Sequence, residues 1–182
     1  MAFTPSVSSR RRRLAEAPGA GKTPRMRPFS ITLYQPDIAG NTGTILRLAA
    51  CLGVPVEIIE PAGFDVSDRH LRRSGLDYLD RVAVTRHRSW DAFSAWRRAE
   101  NIRLVLATTR GALPYTDFAY RDGDCLLMGR ESAGVPEAVH AAADARVVVP
   151  IRADLRSLNV AVCAAMILGE ALRQTDGFPI PD

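Results

Sequence analysis

With 182 residues, 47% of them hydrophobic and 24% charged, the chain has material for one packed core and the make-up of an ordinary globular domain. No run nears the roughly 18 apolar residues of a membrane span, and the start lacks a signal-peptide apolar core, so a cytoplasmic protein is expected. The net charge of +4 is unevenly spread: residues 1–27 carry +6, from Arg10, Arg11, Arg12, Arg13, Lys22, Arg25 and Arg27 against Glu16, which leaves −2 for the rest. A nucleic-acid role for the body therefore has to rest on local clusters. Cys51, Cys125 and Cys163 lie far apart in apolar surroundings and read as reduced core residues. His70, His87 and His140 lack metal-ligand spacing, so no metal is expected.

Residues 1–27 show no apolar periodicity and are rich in Ser, Arg, Gly and Pro; a disordered basic extension is expected, ahead of a domain over 28–176 and a tail over 177–182. Gly21-Lys22-Thr23 is not a P-loop, because the first glycine of that pattern would fall on Glu16 and no strand precedes it. The first strand is predicted over 29–34, followed by a turn-rich loop over 35–41. A helix over 42–52 ends at Gly53, with Ile45, Leu48, Ala49 and Leu52 as its buried stripe. Arg47 points away from that stripe with Gly43 one turn before it, which leaves room for a ribose or phosphate. A strand over 54–60, a loop over 61–67, a short helix over 68–74 and a strand over 82–85 come next.

Six arginines (Arg69, Arg72, Arg73, Arg81, Arg86, Arg88) gather in this region around Tyr78 and His87. Guanidinium forks beside a stackable ring suit RNA phosphates and unstacked bases; the same pattern also describes a solvated, salt-bridged face. A surface helix over 89–100 packs Trp90, Phe93 and Trp96 into the core, and a strand over 104–108 follows. Strands over 124–128 and 146–149 flank a helix over 136–143. Strands alternating with helices give an α/β protein with a parallel sheet. The last helix, over 157–174 with Ser157 as its cap, is apolar at every position from 160 to 168. Burial all round is expected, with Ala161, Ala164, Ala165 and Gly169 admitting a second backbone, hence a homodimer through this helix.

Two loops leave the last two apolar strands. One runs Gly129-Arg130-Glu131-Ser132-Ala133-Gly134-Val135-Pro136; the other crosses 152–156 and ends at Ser157. Two strand ends emptying into two such loops make a crevice at the carboxyl edge of a sheet, where α/β proteins hold ligands. G-x-E-x-x-G-x-P followed by V-P-x(6)-S-L-N resembles motifs two and three of the SPOUT RNA methyltransferases. Asn41, Gly43 and Arg47 complete an N-x-G-x-x-x-R motif one. The resemblance spans roughly 29–174 and most nearly matches the TrmL (YibK-like) branch, the tRNA wobble-position ribose 2′-O-methyltransferases.

That resemblance implies a parallel sheet flanked by helices with a C-terminal trefoil knot, S-adenosylmethionine as methyl donor (S-adenosylhomocysteine as product), tRNA as substrate, and an active site drawing on both subunits of a dimer. Carried onto this chain, Ala107, Gly129, Glu131, Gly134, Val149, Ile151, Ser157 and Leu158 would bind the donor. Arg47, Asn41, Ser157 and Asn159 would form the catalytic set, with Arg47 either orienting the phosphate and 2′-hydroxyl or accepting the proton. Arg72, Arg73, Tyr78 and Arg86 would meet RNA. Departures from the family are Gly169 where relatives often carry tyrosine, the arginines at 130 and 152, and the N-terminal extension. Ribose methylation at another RNA position, or RNA binding without catalysis, are the alternative readings.

Overall fold

The computed structural model describes residues 27–65, 78–110 and 113–180. Most of the basic extension, the helix expected over 68–74, and Arg72 and Arg73 lie outside those residues. Seven strands form one sheet: β1 (Ser30–Tyr34), β2 (Val56–Ile59), β3 (Val84–His87), β4 (Leu104–Ala107), β5 (Leu113–Pro114), β6 (Cys125–Met128) and β7 (Ala145–Val148). Their order is β3-β2-β1-β6-β4-β7-β5, and every neighbouring pair is parallel. From β1 the chain builds outward to β2 and β3, then returns to build the other half. The order reverses between β1 and β6.

Alternation along the strands sorts two cores. Ile31, Leu33, Val56, Ile58, Val105, Leu126 and Met128 face α1 (Ala39–Leu52) and α4 (Val160–Gln174). Tyr34, Ile59, Leu104, Leu106, Cys125 and Leu127 face Phe93 of α2 (Trp90–Ala99) and Val139 of α3 (Glu137–Ala142). Every residue of β1, β2 and β6 is buried, as expected of strands covered on both faces. Trp90 and Trp96 pack against the second core as predicted, and Ser89 caps α2 by accepting from the Ala92 amide at 3.2 Å.

Several boundaries differ from the sequence reading. Helix α1 begins three residues early because Gly40 and Asn41, weak helix formers, hide its first turn. Its buried residues are Thr42, Gly43, Ile45, Leu46 and Ala49, so the stripe is rotated and Leu48 and Leu52 are only partly covered. Strand β3 lies two residues later than expected. His87, read as part of a charged face, is buried with its Nε2 2.8 Å from Glu57 Oε2 and its ring against Phe93 and Trp96. Helix α4 starts at Val160, and its cap is Asn159, not Ser157: the Asn159 Oδ1 accepts from the amides of Ala161 (2.8 Å) and Val162 (3.3 Å). Within one chain α4 is not buried all round. Ala161, Ala164, Ile167 and Leu168 face the core, whereas Val162, Ala165 and Met166 are exposed.

Candidate active site

A cavity of about 720 Å³ opens at the carboxyl ends of β4, β6 and β7. Its walls include Ala107 at the end of β4 and Thr108 after it, residues 129–135 after β6, and Val149, Ile151 and 156–159 after β7, with Ile38 and Asn41 closing one side. All eight residues expected to bind the donor line it: Ala107, Gly129, Glu131, Gly134, Val149, Ile151, Ser157 and Leu158. So do Asn41 and Asn159 of the expected catalytic set. Met128, Val135, Val148 and Ile167 add apolar surface that sequence reasoning did not single out. An apolar slot with a few polar groups at its rim, in this size range, suits a nucleoside-sized ligand.

The loop after β6 is a closed turn. The Arg130 amide donates to Gly134 O at 3.0 Å and the Gly134 amide returns to Arg130 O at 2.8 Å. Gly134 has φ +66°, a left-handed conformation that costs glycine little. Gly129 is required by proximity instead: a Cβ there would lie 2.8 Å from the Gly134 carbonyl carbon and 2.9 Å from its Cα.

Polar side chains tie this turn to the two other segments of the wall. Asn41 Nδ2 donates to Glu131 Oε1 at 3.1 Å, and Asn159 Nδ2 donates to Asn41 Oδ1 at 2.8 Å. The Asn159 oxygen then faces the first amides of α4. The direction of this chain follows from its two ends. A carboxylate oxygen accepts, so Asn41 must present its NH₂ there and its oxygen to Asn159; helix amides donate, so Asn159 must present its oxygen to them. Both demands agree. Glu131, Asn41 and Asn159 are thus structural partners, although they stand far apart in sequence.

Asp37, absent from the sequence-based site, joins the same junction. Its amide donates to Glu131 Oε2 at 3.2 Å, and its Oδ1 accepts from the Glu131 amide at 3.2 Å. Ser132 Oγ donates to Asp37 Oδ2, and Arg130 Nε lies 3.7 Å from that oxygen. Hydrogen bonds from Glu131 and Ser132 hold the Asp37 carboxyl down at about 2. Burial, and then the neighbouring Asp37, raises Glu131 from its ordinary value. The sequence does carry a signal for Asp37: an acidic residue in the loop leaving the strand beside the crevice.

The remaining expected residues lie elsewhere. Arg47 is exposed and is not among the lining residues; its guanidinium sits over the Tyr78 ring, 5.0 Å from the centroid. Gly43 is buried, so the open patch expected beneath Arg47 is not there. Arg86 pairs with Glu60 at the end of β2, its Nε 2.6 Å from the carboxylate. Among the described residues no group of three or more His, Cys, Asp or Glu is arranged to hold a metal ion, and no helix is long and apolar enough to cross a membrane.

The sequence pattern described as the SpoU rRNA Methylase family matches residues 28–169, which include every described wall of this cavity. The chain belongs to the SpoU methylase family. Relatives within and around it are similar over much of their length. A tRNA (cytidine(34)-2'-O)-methyltransferase of Beijerinckia indica subsp. indica is 68% identical over 144 residues, covering 79% of this chain and 90% of that protein. The Escherichia coli (strain K12) protein of the same name is 42% identical, covering 83% and 96%. A solved structure described as giving insights into the 2-OH methylation of C/U34 on tRNA superposes with a TM-score of 0.76 at 38% identity, covering 83% of this chain and 98% of that one. The SpoU methyltransferase AviRb of Streptomyces viridochromogenes, solved with AdoMet, gives 0.76 at 30% identity, covering 84% and 62%.

Proposed function

We propose that this SpoU-family chain methylates the ribose 2′-hydroxyl of nucleotide 34 in tRNA, with cytidine as the preferred base and S-adenosylmethionine as donor. The observation that carries the reading is the cavity at the carboxyl edge, walled by the two motif loops and knitted by Glu131, Asn41 and Asn159. Its chemistry fits the donor: apolar side chains for a purine, glycine-bearing backbone at the turn, and hydroxyl and amide groups at the rim. Ala107, Gly129, Gly134, Val149, Ile151, Ser157 and Leu158 would hold it, with Glu131 fixing the turn from behind. When bound, the donor supplies a methyl on a positively charged sulfur, already a good leaving group.

The methyl passes to the ribose oxygen, the sulfur leaves as the neutral thioether and the hydroxyl proton goes to solvent, so the protein's remaining tasks are alignment and stabilisation of charge at the attacking oxygen. Arg47 is the residue proposed for that work. A guanidinium with a reference pKa above about 12 is a poor base, so Arg47 orients the phosphate and hydroxyl. Its exposure, and its place outside the cavity of its own chain, support a site completed between two subunits. The exposed strip of Val162, Ala165 and Met166 on α4 supports dimerisation through that helix. Family membership supports a C-terminal trefoil knot made by the segments around the cavity, and a cytoplasmic setting where tRNA is processed. Tyr78 and Arg86, with Arg72 and Arg73, are proposed to meet the RNA.

Incubation of the purified protein with labelled donor and total tRNA, followed by alkaline digestion and mapping, should give a resistant linkage at nucleotide 34. Label elsewhere, or none, overturns the reading. Arg47→Ala should lower turnover by at least about a hundredfold while leaving S-adenosylhomocysteine affinity near wild type.

A further inference from the structure

Asp37 is not itself among the residues assigned above to donor or RNA, yet it is bonded to one of them, Glu131, and sits at the junction of the wall segments. It approaches the turn after β6 at three consecutive residues: the Arg130 guanidinium, the Glu131 amide and the Ser132 hydroxyl. Its own amide meets the Glu131 carboxylate, so the two acidic residues grip each other reciprocally, backbone to side chain in both directions. The strand-end loop carrying Asp37 is itself braced. The Gly63 amide donates to Pro36 O at 2.8 Å, and a Cβ on Gly63 would lie 2.9 Å from Asp37 Cα. A residue clamped from behind and bonded forward to one turn is suited to setting the shape of that turn.

We propose that Asp37 is a positioning residue that holds the turn 129–134 in its donor-binding shape, acting through Glu131 and Ser132. The inference rests on the donor cavity assigned above. The negative charge makes it sharp. An isosteric asparagine can keep its oxygen on the Glu131 amide and turn its NH₂ to Ser132 Oγ, which then accepts, so what it removes without changing volume is the charge that strengthens both bonds and faces the Arg130 guanidinium.

The test is S-adenosylhomocysteine affinity by calorimetry, with no RNA present, for wild type, Asp37→Asn and Ser132→Ala. Asp37→Asn should weaken binding about tenfold, and Ser132→Ala by about threefold, since it removes one bond and keeps the other. In methylation assays the donor KM of Asp37→Asn should rise in step, while kcat at saturating donor stays within about twofold of wild type. Unchanged affinity in a variant that keeps its near-ultraviolet circular dichroism overturns the proposal. So does loss of that signal in both variants, which would make Asp37 a residue of the fold alone. Failure of the wild type to bind S-adenosylhomocysteine would refute the cavity assignment itself. Methylation at a nucleotide other than 34 would refute the RNA target while leaving the role of Asp37 standing.

Discussion

The two edges of the sheet use the same polar residue types to opposite ends. At the amino edge each of two buried-side cations meets its anion. Arg103, just before β4, grips Asp124, just before β6, with both nitrogens of its fork (Nε 2.7 Å, Nη2 2.6 Å), and that carboxylate raises the Arg103 pKa further. Arg97, 6% exposed, spans Asp144 Oδ2 and Ala142 O at 2.8 Å each, while the Leu104 amide takes the same Asp144 oxygen at 2.7 Å. At the carboxyl edge two carboxylates, Asp37 and Glu131, share one junction, and the nearby Arg130 is only 3.7 Å from one of them. Around that junction paired charge gives way to a chain of amides and a cavity. Closure marks the amino edge, and incompletely matched polarity marks the proposed site.

The sharpest way to break this contrast is Gly129→Ala. The added methyl meets the Gly134 backbone, which cannot rotate away as a side chain would, so the turn must open. S-adenosylhomocysteine binding should be lost, with a stability cost of about 1–3 kcal/mol seen in thermal melts. Next in size is Arg97→Met at the other edge. It strips partners from Asp144 and from the Ala142 carbonyl and should cost about 2 kcal/mol, tempered by the partial exposure of Asp144. Ligand affinity should not move; if it does, the two edges are not separate in function.

The smallest expected effect is the pH dependence of the junction. Asp37 is held at about 2 in the fold, below its ordinary value of 3.8, so its contribution to stability is complete above about 4 and fades as pH falls toward about 2. Glu131 is shifted upward, so its sign is reversed: ionising it costs stability, and that cost appears as pH rises above its ordinary 4.5. Urea melts between about pH 2 and 7 should show both slopes in wild type. Asp37→Asn should remove the acid-side slope; a curve identical to wild type would mean that Asp37 does not supply it.

Much of the cavity is legible in the amino-acid sequence, because its walls are strand ends. Short apolar runs breaking into Gly- and Ser-containing loops locate Ala107, Gly129, Val149 and Ser157 at one rim. What local pattern misses depends on partners distant in sequence. Ser157 reads as a cap, yet Asn159 has the geometry, since it also answers to Asn41, 118 residues away. His87 sits among arginines and reads as exposed, but Glu57 on the next strand draws it inside. β5 is two residues long, too short for any periodicity. Arg47 falls on the expected helix, but the rotation of that helix is set by how Thr42, Ile45, Leu46 and Ala49 settle on the sheet. Local pattern finds strand ends well; it does not find which polar groups will meet across them.

The one-way order of the Glu131–Asn41–Asn159 chain also bears on how this protein ages. Each amide there serves because one end gives a proton and the other takes one. Spontaneous hydrolysis of Asn41 to an acid, a mass change of about one dalton, would set a second negative charge against Glu131. The same reaction at Asn159 would spare the helix cap and sever the link to Asn41. Loss of either amide should therefore cost the site before it costs the fold.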